Sequence, residues 1–161
     1  RVVAACRRAT NKPLITKLSP NQTDIANNAR RCIEAGTNGF AVINTLMGMA
    51  IDIEARRLVI GNNQGGVSGP AIKPIAVFKT FQVAQVARPL GIPIIGQGGV
   101  TCAADAIEFL LAGATAVGVG TGLFYDPMLL KSINVGLLDY LDRHGMASVG
   151  ELSGALKLNG A

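Results

Sequence analysis

Short apolar runs and longer amphipathic stretches follow one another along the chain, and their order predicts an α/β architecture. Four runs read as strands because they are rich in β-branched residues and too short for helices: PLITKLSP (Pro13–Pro20), GFAVINT (Gly39–Thr45), PIIGQGG (Pro93–Gly99) and AVGVG (Ala116–Gly120). Helical spacing fills the gaps. Residues 2–10 read as the last turns of a helix stopped by Asn11 and Pro13. Asn21 to Thr23 offers caps for a helix with Ile25, Ala29, Cys32 and Ile33 on one face, closed by Gly36. Pro70 suits the first turn of a helix whose expected core face is Ile72, Ile75, Phe78 and Val86. A further helix from about Ala103 is expected to bury Ile107, Leu110 and Leu111 and to end at Gly113. Helical patterns over Met128–Arg143 and Ser148–Leu158 finish the chain.

One segment breaks this rhythm. Between Leu46 and Gly69, AIDIE and RRLVIG suggest a small β-excursion, followed by the glycine-rich NNQGGVSGP. A connection this long inside a compact domain is usually a lid or a binding loop. Elsewhere strand and helix alternate, which means parallel strands with right-handed crossovers. Internal echoes are weak: Pro13-Leu14-Ile15 with Lys17 resembles Pro93-Ile94-Ile95 with Gln97. Four βα units are half the count of a (βα)8 barrel, and a four-stranded open sheet competes with it. Both folds place ligands at the C-terminal ends of their strands.

Composition narrows the class. With 161 residues, 49% hydrophobic and 16% charged, the chain is one globular domain with a sizeable core. It has no run of 18 apolar residues, and RVVAACRRAT lacks the apolar core of a signal peptide, so no membrane association is expected. The chain starts without Met inside a helical pattern, so we expect a truncated, partial domain spanning residues 1–161. The net charge of +5 is carried partly by Arg7-Arg8, Arg30-Arg31 and Arg56-Arg57. These pairs read as solvated faces, and without an aromatic strip beside them no nucleic-acid partner is expected. The three cysteines, Cys6, Cys32 and Cys102, form no CxxC and have only His144 for company, which supports neither zinc nor a disulfide framework. All three fall on helical patterns and are expected to be small buried hydrophobes in a reducing, cytoplasmic compartment.

The candidate chemistry sits at the strand ends. Gly98-Gly99 and Gly120-Thr121 close consecutive strands, and paired glycine-rich turns can hold a phosphate with bare N–H groups. Lys17 lies late in an apolar strand, where an unpaired ammonium is costly to bury. It either meets an anion at the strand's C-terminal end or reaches solvent from an edge. Asn44-Thr45 ends its strand with an amide and a hydroxyl, suited to a polar heterocycle or simply to capping a turn. Gly65–Gly69 reads as a flexible approach loop before a helix or as an ordinary turn. His144 falls at a late helix end and is not a catalytic candidate, and no Ser/His/Asp set or convergent carboxylate pair is visible.

Taken together, KLSPNQTDI, INTLMGMAID, GGVSGPAIKP, PIIGQGGV and AVGVGT resemble the C-terminal half of a class 1 dihydroorotate dehydrogenase, and INTLMGMAID with GGVSGPAIKP favours subclass B. The resemblance implies the C-terminal half, about four βα units, of an FMN-containing (βα)8 TIM barrel that oxidises dihydroorotate to orotate in pyrimidine biosynthesis. It implies NAD as final acceptor. It also implies a separate electron-transfer subunit bearing FAD and a 2Fe-2S cluster, in a heterotetramer of two catalytic and two electron-transfer chains. By the same resemblance Lys17, Ile43, Gly69, Gly98, Gly99, Gly120 and Thr121 match FMN-binding positions, while Asn44 and Thr45 match orotate-binding ones. Lys17 corresponds to the lysine that stabilises negative charge on the reduced flavin. The base that takes the substrate C5 proton would be a cysteine in an upstream Asn-x-Ser-Cys-Pro-Asn loop that this sequence does not contain, so no catalytic residue is assigned in the chain. Two alternatives stand beside this reading: a dihydropyrimidine dehydrogenase-like flavin enzyme acting on uracil or thymine, and a non-catalytic phosphate-binding half-barrel.

Overall fold

The structure, a computed structural model, describes residues 1–160. Its centre is a parallel sheet of β1 (Ile15–Leu18), β2 (Gly39–Val42), β7 (Ile94–Gln97) and β8 (Ala116–Gly118), in that spatial order. The registers Leu18↔Val42, Val42↔Gly96 and Gln97↔Gly118 bring the four C-terminal ends out at one level. The expected alternation of parallel strands and helices is therefore present, and each strand ends two or three residues before its apolar run does.

Helices α2 (Ile25–Glu34), α3 (Lys73–Ala87) and α4 (Ala103–Leu111) cover the sheet, and α3 packs against α2, α4 and β7. Their contact layer, with Phe40, Ile94, Phe109, Ile25 and Val83, forms the core. Helix α2 follows its periodicity: Ile25 and Ala29 are buried, Cys32 and Ile33 pack against the core, and Gly36 at φ +92° takes the left-handed position after the last turn. Its N-cap is Asp24 rather than a residue of Asn21–Thr23, with the Asp24 carboxylate accepting from the Asn27 N–H at 2.9 Å.

Helix α3 departs from its expected face. Ile72 is buried in the single 3₁₀ turn before it, but Ile75 and Phe78 are exposed and Val86 is only half-buried. Ala76, Thr80, Val83, Ala84 and Ala87 point inward instead. The helix is apolar nearly all round, so periodicity could not choose a face. Packing against two helices and a strand selected the small residues, which permit close approach.

The excursion is real. β3 (Leu46–Gly48) pairs antiparallel with β6 (Gly65–Val67), and β4 (Ile51–Asp52) with β5 (Arg57–Leu58). At the chain ends, α1 (Val2–Ala9) precedes β1, and α5 (Gly122–Tyr125), α6 (Leu129–Arg143) and α7 (Val149–Leu152) follow β8. Helix α7 is much shorter than the expected Ser148–Leu158. Gly154 at φ +71° turns the chain away, its N–H donates to the Leu110 carbonyl at 2.8 Å, and Arg88 donates to the Ser153 carbonyl at 2.9 Å.

The cysteines also differ from expectation. Cys6 and Cys102 are exposed and only Cys32 is half-buried, where burial pushes its thiol pKa up. Helix α1 buries none of its residues, and Cys102 caps α4 instead of packing inside it. No described helix is long and apolar enough to cross a membrane.

Candidate functional site

Because the strands end together, the turns that follow them enclose one cavity of about 700 Å³. That is the size of a cofactor site, and its position is the one parallel α/β sheets use for ligands. Every residue singled out at the strand ends lines it. Lys17 enters from β1, Ile43, Asn44 and Thr45 from the end of β2, Gly69 from the loop after β6, and Gly98, Gly99, Gly120 and Thr121 from the turns after β7 and β8.

The two sides of the cavity are built differently. Lys17 is exposed on β1, an edge strand of the four-stranded sheet, and is in no ion pair among the described residues. Both of the readings open for it, edge lysine and cavity lysine, describe its place. Ile43 is buried and held twice by Gln97. Its N–H donates to the Gln97 carbonyl at 3.0 Å, and the Gln97 amide donates back to the Ile43 carbonyl at 3.1 Å. The Asn44 N–H donates to the Leu18 carbonyl at 2.9 Å, which leaves the Asn44 side chain exposed at the cavity. Asn21 braces this side from behind, donating to the Thr45 carbonyl at 3.0 Å and accepting from the Met47 N–H at 2.9 Å.

The opposite side is main chain. Gly98 and Gly99 take φ +134° and +80°, a region that side chains avoid. A Cβ at Gly99 would lie 2.7 Å from the Gly69 carbonyl oxygen and 3.1 Å from the Lys73 nitrogen, so glycine is required there by packing. At Gly69 and Gly120, by contrast, a Cβ would meet nothing within 4 Å, because these residues border the open cavity. The N–H groups of Gly99, Gly120 and Thr121 have no acceptor among the described residues. Such a cluster of free donors fits an anion that brings its own acceptor oxygens. The Ser68 and Thr121 hydroxyls, 3.1 Å apart, join the loop after β6 to the turn after β8.

A charged cluster behind these turns escaped the sequence reading. Lys73 Nζ lies 2.7 Å from Asp105 Oδ1 and 2.6 Å from Glu108 Oε1. Burial alone would push the Asp105 carboxyl up, but donors from Lys73, Thr101 and Cys102 outweigh it and hold the group at about 2. The hydrogen bonds from Lys73 to both carboxylates push its own pKa above the usual lysine range. Asp105 completes a capping box on α4 whose N-cap is Cys102, and a cysteine there hides the usual Ser/Thr signature. No group of residues able to hold a metal ion occurs among the described residues.

The profile of the family described as dihydroorotate dehydrogenase matches residues 1–141. The catalytic subunit of dihydroorotate dehydrogenase B (NAD(+)) from Geotalea daltonii is 52% identical over 157 residues, covering 98% of this chain and 50% of that protein. The protein of the same name from Porphyromonas gingivalis is 53% identical over 155 residues, with 96% and 50% covered. The chain thus spans about half the length of the curated relatives it matches. Among solved structures, the Eimeria tenella enzyme in complex with ferulenol superposes with a TM-score of 0.74 at 27% identity, over 89% of this chain and 38% of that one.

Proposed function

The chain belongs to the dihydroorotate dehydrogenase family, and from that premise we propose that it forms the C-terminal half of an FMN-binding (βα)8 barrel that oxidises dihydroorotate to orotate in pyrimidine biosynthesis. The observation that carries this reading is the convergence of Lys17, Asn44, Thr45 and the glycine turns on one cavity of about 700 Å³. The free N–H groups of Gly99, Gly120 and Thr121 would hold the FMN phosphate. Gly69 and the Ile43 backbone would border the ring system.

Bound there, FMN supplies the two-electron acceptor for the C5–C6 bond of the substrate. Lys17, whose ammonium is not committed to a carboxylate, would offset negative charge that accumulates at the pyrimidine edge of the flavin. Asn44 and Thr45 would orient the substrate's polar ring through an amide and a hydroxyl. By the family resemblance the base that takes the C5 proton would be a cysteine in a loop this sequence does not contain, and none of Cys6, Cys32 and Cys102 lines the cavity. The names of the relatives, which specify NAD(+) and a catalytic subunit, support NAD(+) as final acceptor and a separate electron-transfer subunit; by the family resemblance that subunit would carry FAD and a 2Fe-2S cluster, in a cytoplasmic heterotetramer of two chains of each kind.

The test is to measure flavin absorbance and orotate formation from dihydroorotate for the 161-residue chain and for the complete protein. Turnover and bound flavin are expected in the complete protein only. Full activity of the isolated chain would contradict the assignment of the base, and turnover of uracil or thymine in place of orotate would contradict the substrate.

A further inference from the structure

The Lys73–Asp105–Glu108 cluster has no part in the function proposed above, and neither Lys73 nor Asp105 lines the cavity. The Asp105 side chain is 9% exposed and that of Lys73 23%. Both carboxylate oxygens of Asp105 are engaged. Oδ1 accepts from Lys73, and Oδ2 accepts from the Thr101 N–H at 2.8 Å, the Thr101 hydroxyl at 2.8 Å and the Cys102 N–H at 3.2 Å. A nearly buried carboxylate with this many donors is fixed, and it fixes the segments that supply them.

Those segments are the two walls of the glycine side. Thr101 closely follows Gly99 on the turn after β7, and Lys73 follows Gly69 at the start of α3. The walls meet where Gly98 packs against Ile72 and Ala76, and Gly99 against the Gly69 carbonyl and Lys73. On the turn's side neither glycine carries a side chain that could lock the contact. Among the described residues the bonds from Lys73, on α3, to Asp105 and Glu108, both on α4, are the side-chain hydrogen bonds that cross this seam.

We propose that Lys73 and Asp105 are positioning residues for the flavin phosphate: their pair ties the Ser68–Gly69 loop to the Gly98–Gly99 turn and sets the width of the phosphate end of the cavity. The proposal rests on the FMN reading. A pair that served stability alone would weaken every flavin alike when broken, whereas a pair that sets the phosphate end acts on the phosphate specifically.

FMN and riboflavin differ by that phosphate, so titrating the complete apoprotein with each separates the two roles. The wild type is expected to prefer FMN by about a hundredfold. Lys73→Met is expected to weaken FMN about tenfold and riboflavin less than about twofold, and Lys73→Arg, which can still bridge both carboxylates, to restore most of the preference. Should Lys73→Met fail to fold, Asp105→Asn is read by the same ratio. An unchanged ratio, or equal weakening of both flavins, overturns the proposal while the wild-type preference keeps the FMN reading standing. A wild type that binds the two flavins equally contradicts the FMN reading itself, and the proposal falls with it.

Discussion

The glycine side of the cavity and the Lys17 side are built of different materials. At Gly98, Gly99, Gly120 and Thr121 the cavity presents main chain, and behind it stand α3, α4 and a nearly buried ion pair. At Lys17, Asn44 and Thr45 the cavity presents side chains, of which those of Lys17 and Asn44 are exposed. Donors on the main chain are held only as well as the packing behind them, so there binding and folding are coupled. Side chains at a sheet's end can change without disturbing the core, so there the chemistry is separable from the fold. Mutations on the two sides should therefore fail in different ways.

The largest effect is expected at Gly99→Val. With φ at +80° and a Cβ placed 2.7 Å from the Gly69 carbonyl, the variant should lose about 3–5 kcal/mol in urea unfolding and its bound flavin together. A loss below about 1 kcal/mol would show that the turn gives way, and the contrast between the sides would weaken. Lys17→Ala comes next and should behave in the opposite manner. Stopped-flow reduction of the flavin should slow about a hundredfold, equivalent to about 2.7 kcal/mol of barrier, while stability changes by less than about 0.5 kcal/mol. An unchanged reduction rate would remove Lys17 from the site.

Acid unfolding sharpens the comparison further. The Asp105 carboxyl is lowered from 3.8 to about 2, so its stabilisation is fully present above about pH 4 and is lost as the pH falls towards 2. Lys73, shifted upward, stays protonated throughout that window. Asp105→Asn should therefore cost about 2 kcal/mol near neutrality and flatten the stability profile between pH 4 and 2. An acid limb as steep as the wild type's would place the titrating group elsewhere. The smallest effect is expected at Ser68→Ala. Its exposed bond to Thr121 should be worth less than about threefold in FMN affinity, and a larger loss in the same titration would mean that hydroxyl contacts hold the glycine side.

The sequence foretold the two sides unequally. The four strands, the parallel sheet and the glycine turns were readable because proline, β-branched runs and glycine act locally, and Gly36 ends α2 where the pattern puts it. The inward face of α3 was not, because Ile75 and Phe78 look like core residues while Ala76, Ala84 and Ala87 take the core positions. Choosing among apolar faces is a tertiary decision, settled by how closely α2, α4 and β7 can approach. Cys6 and Cys102 were expected inside for the same reason and lie outside. The link from Lys73 to Asp105 was invisible because it spans 32 residues and its cap is a cysteine.

The most direct test is an anaerobic titration of the complete protein with dihydroorotate, followed by the visible absorbance of its flavin. A protein that carries FMN and loses that absorbance with about one equivalent of dihydroorotate is the predicted result. A protein without flavin, or one whose flavin dihydroorotate leaves oxidised, would contradict the assignment of this cavity.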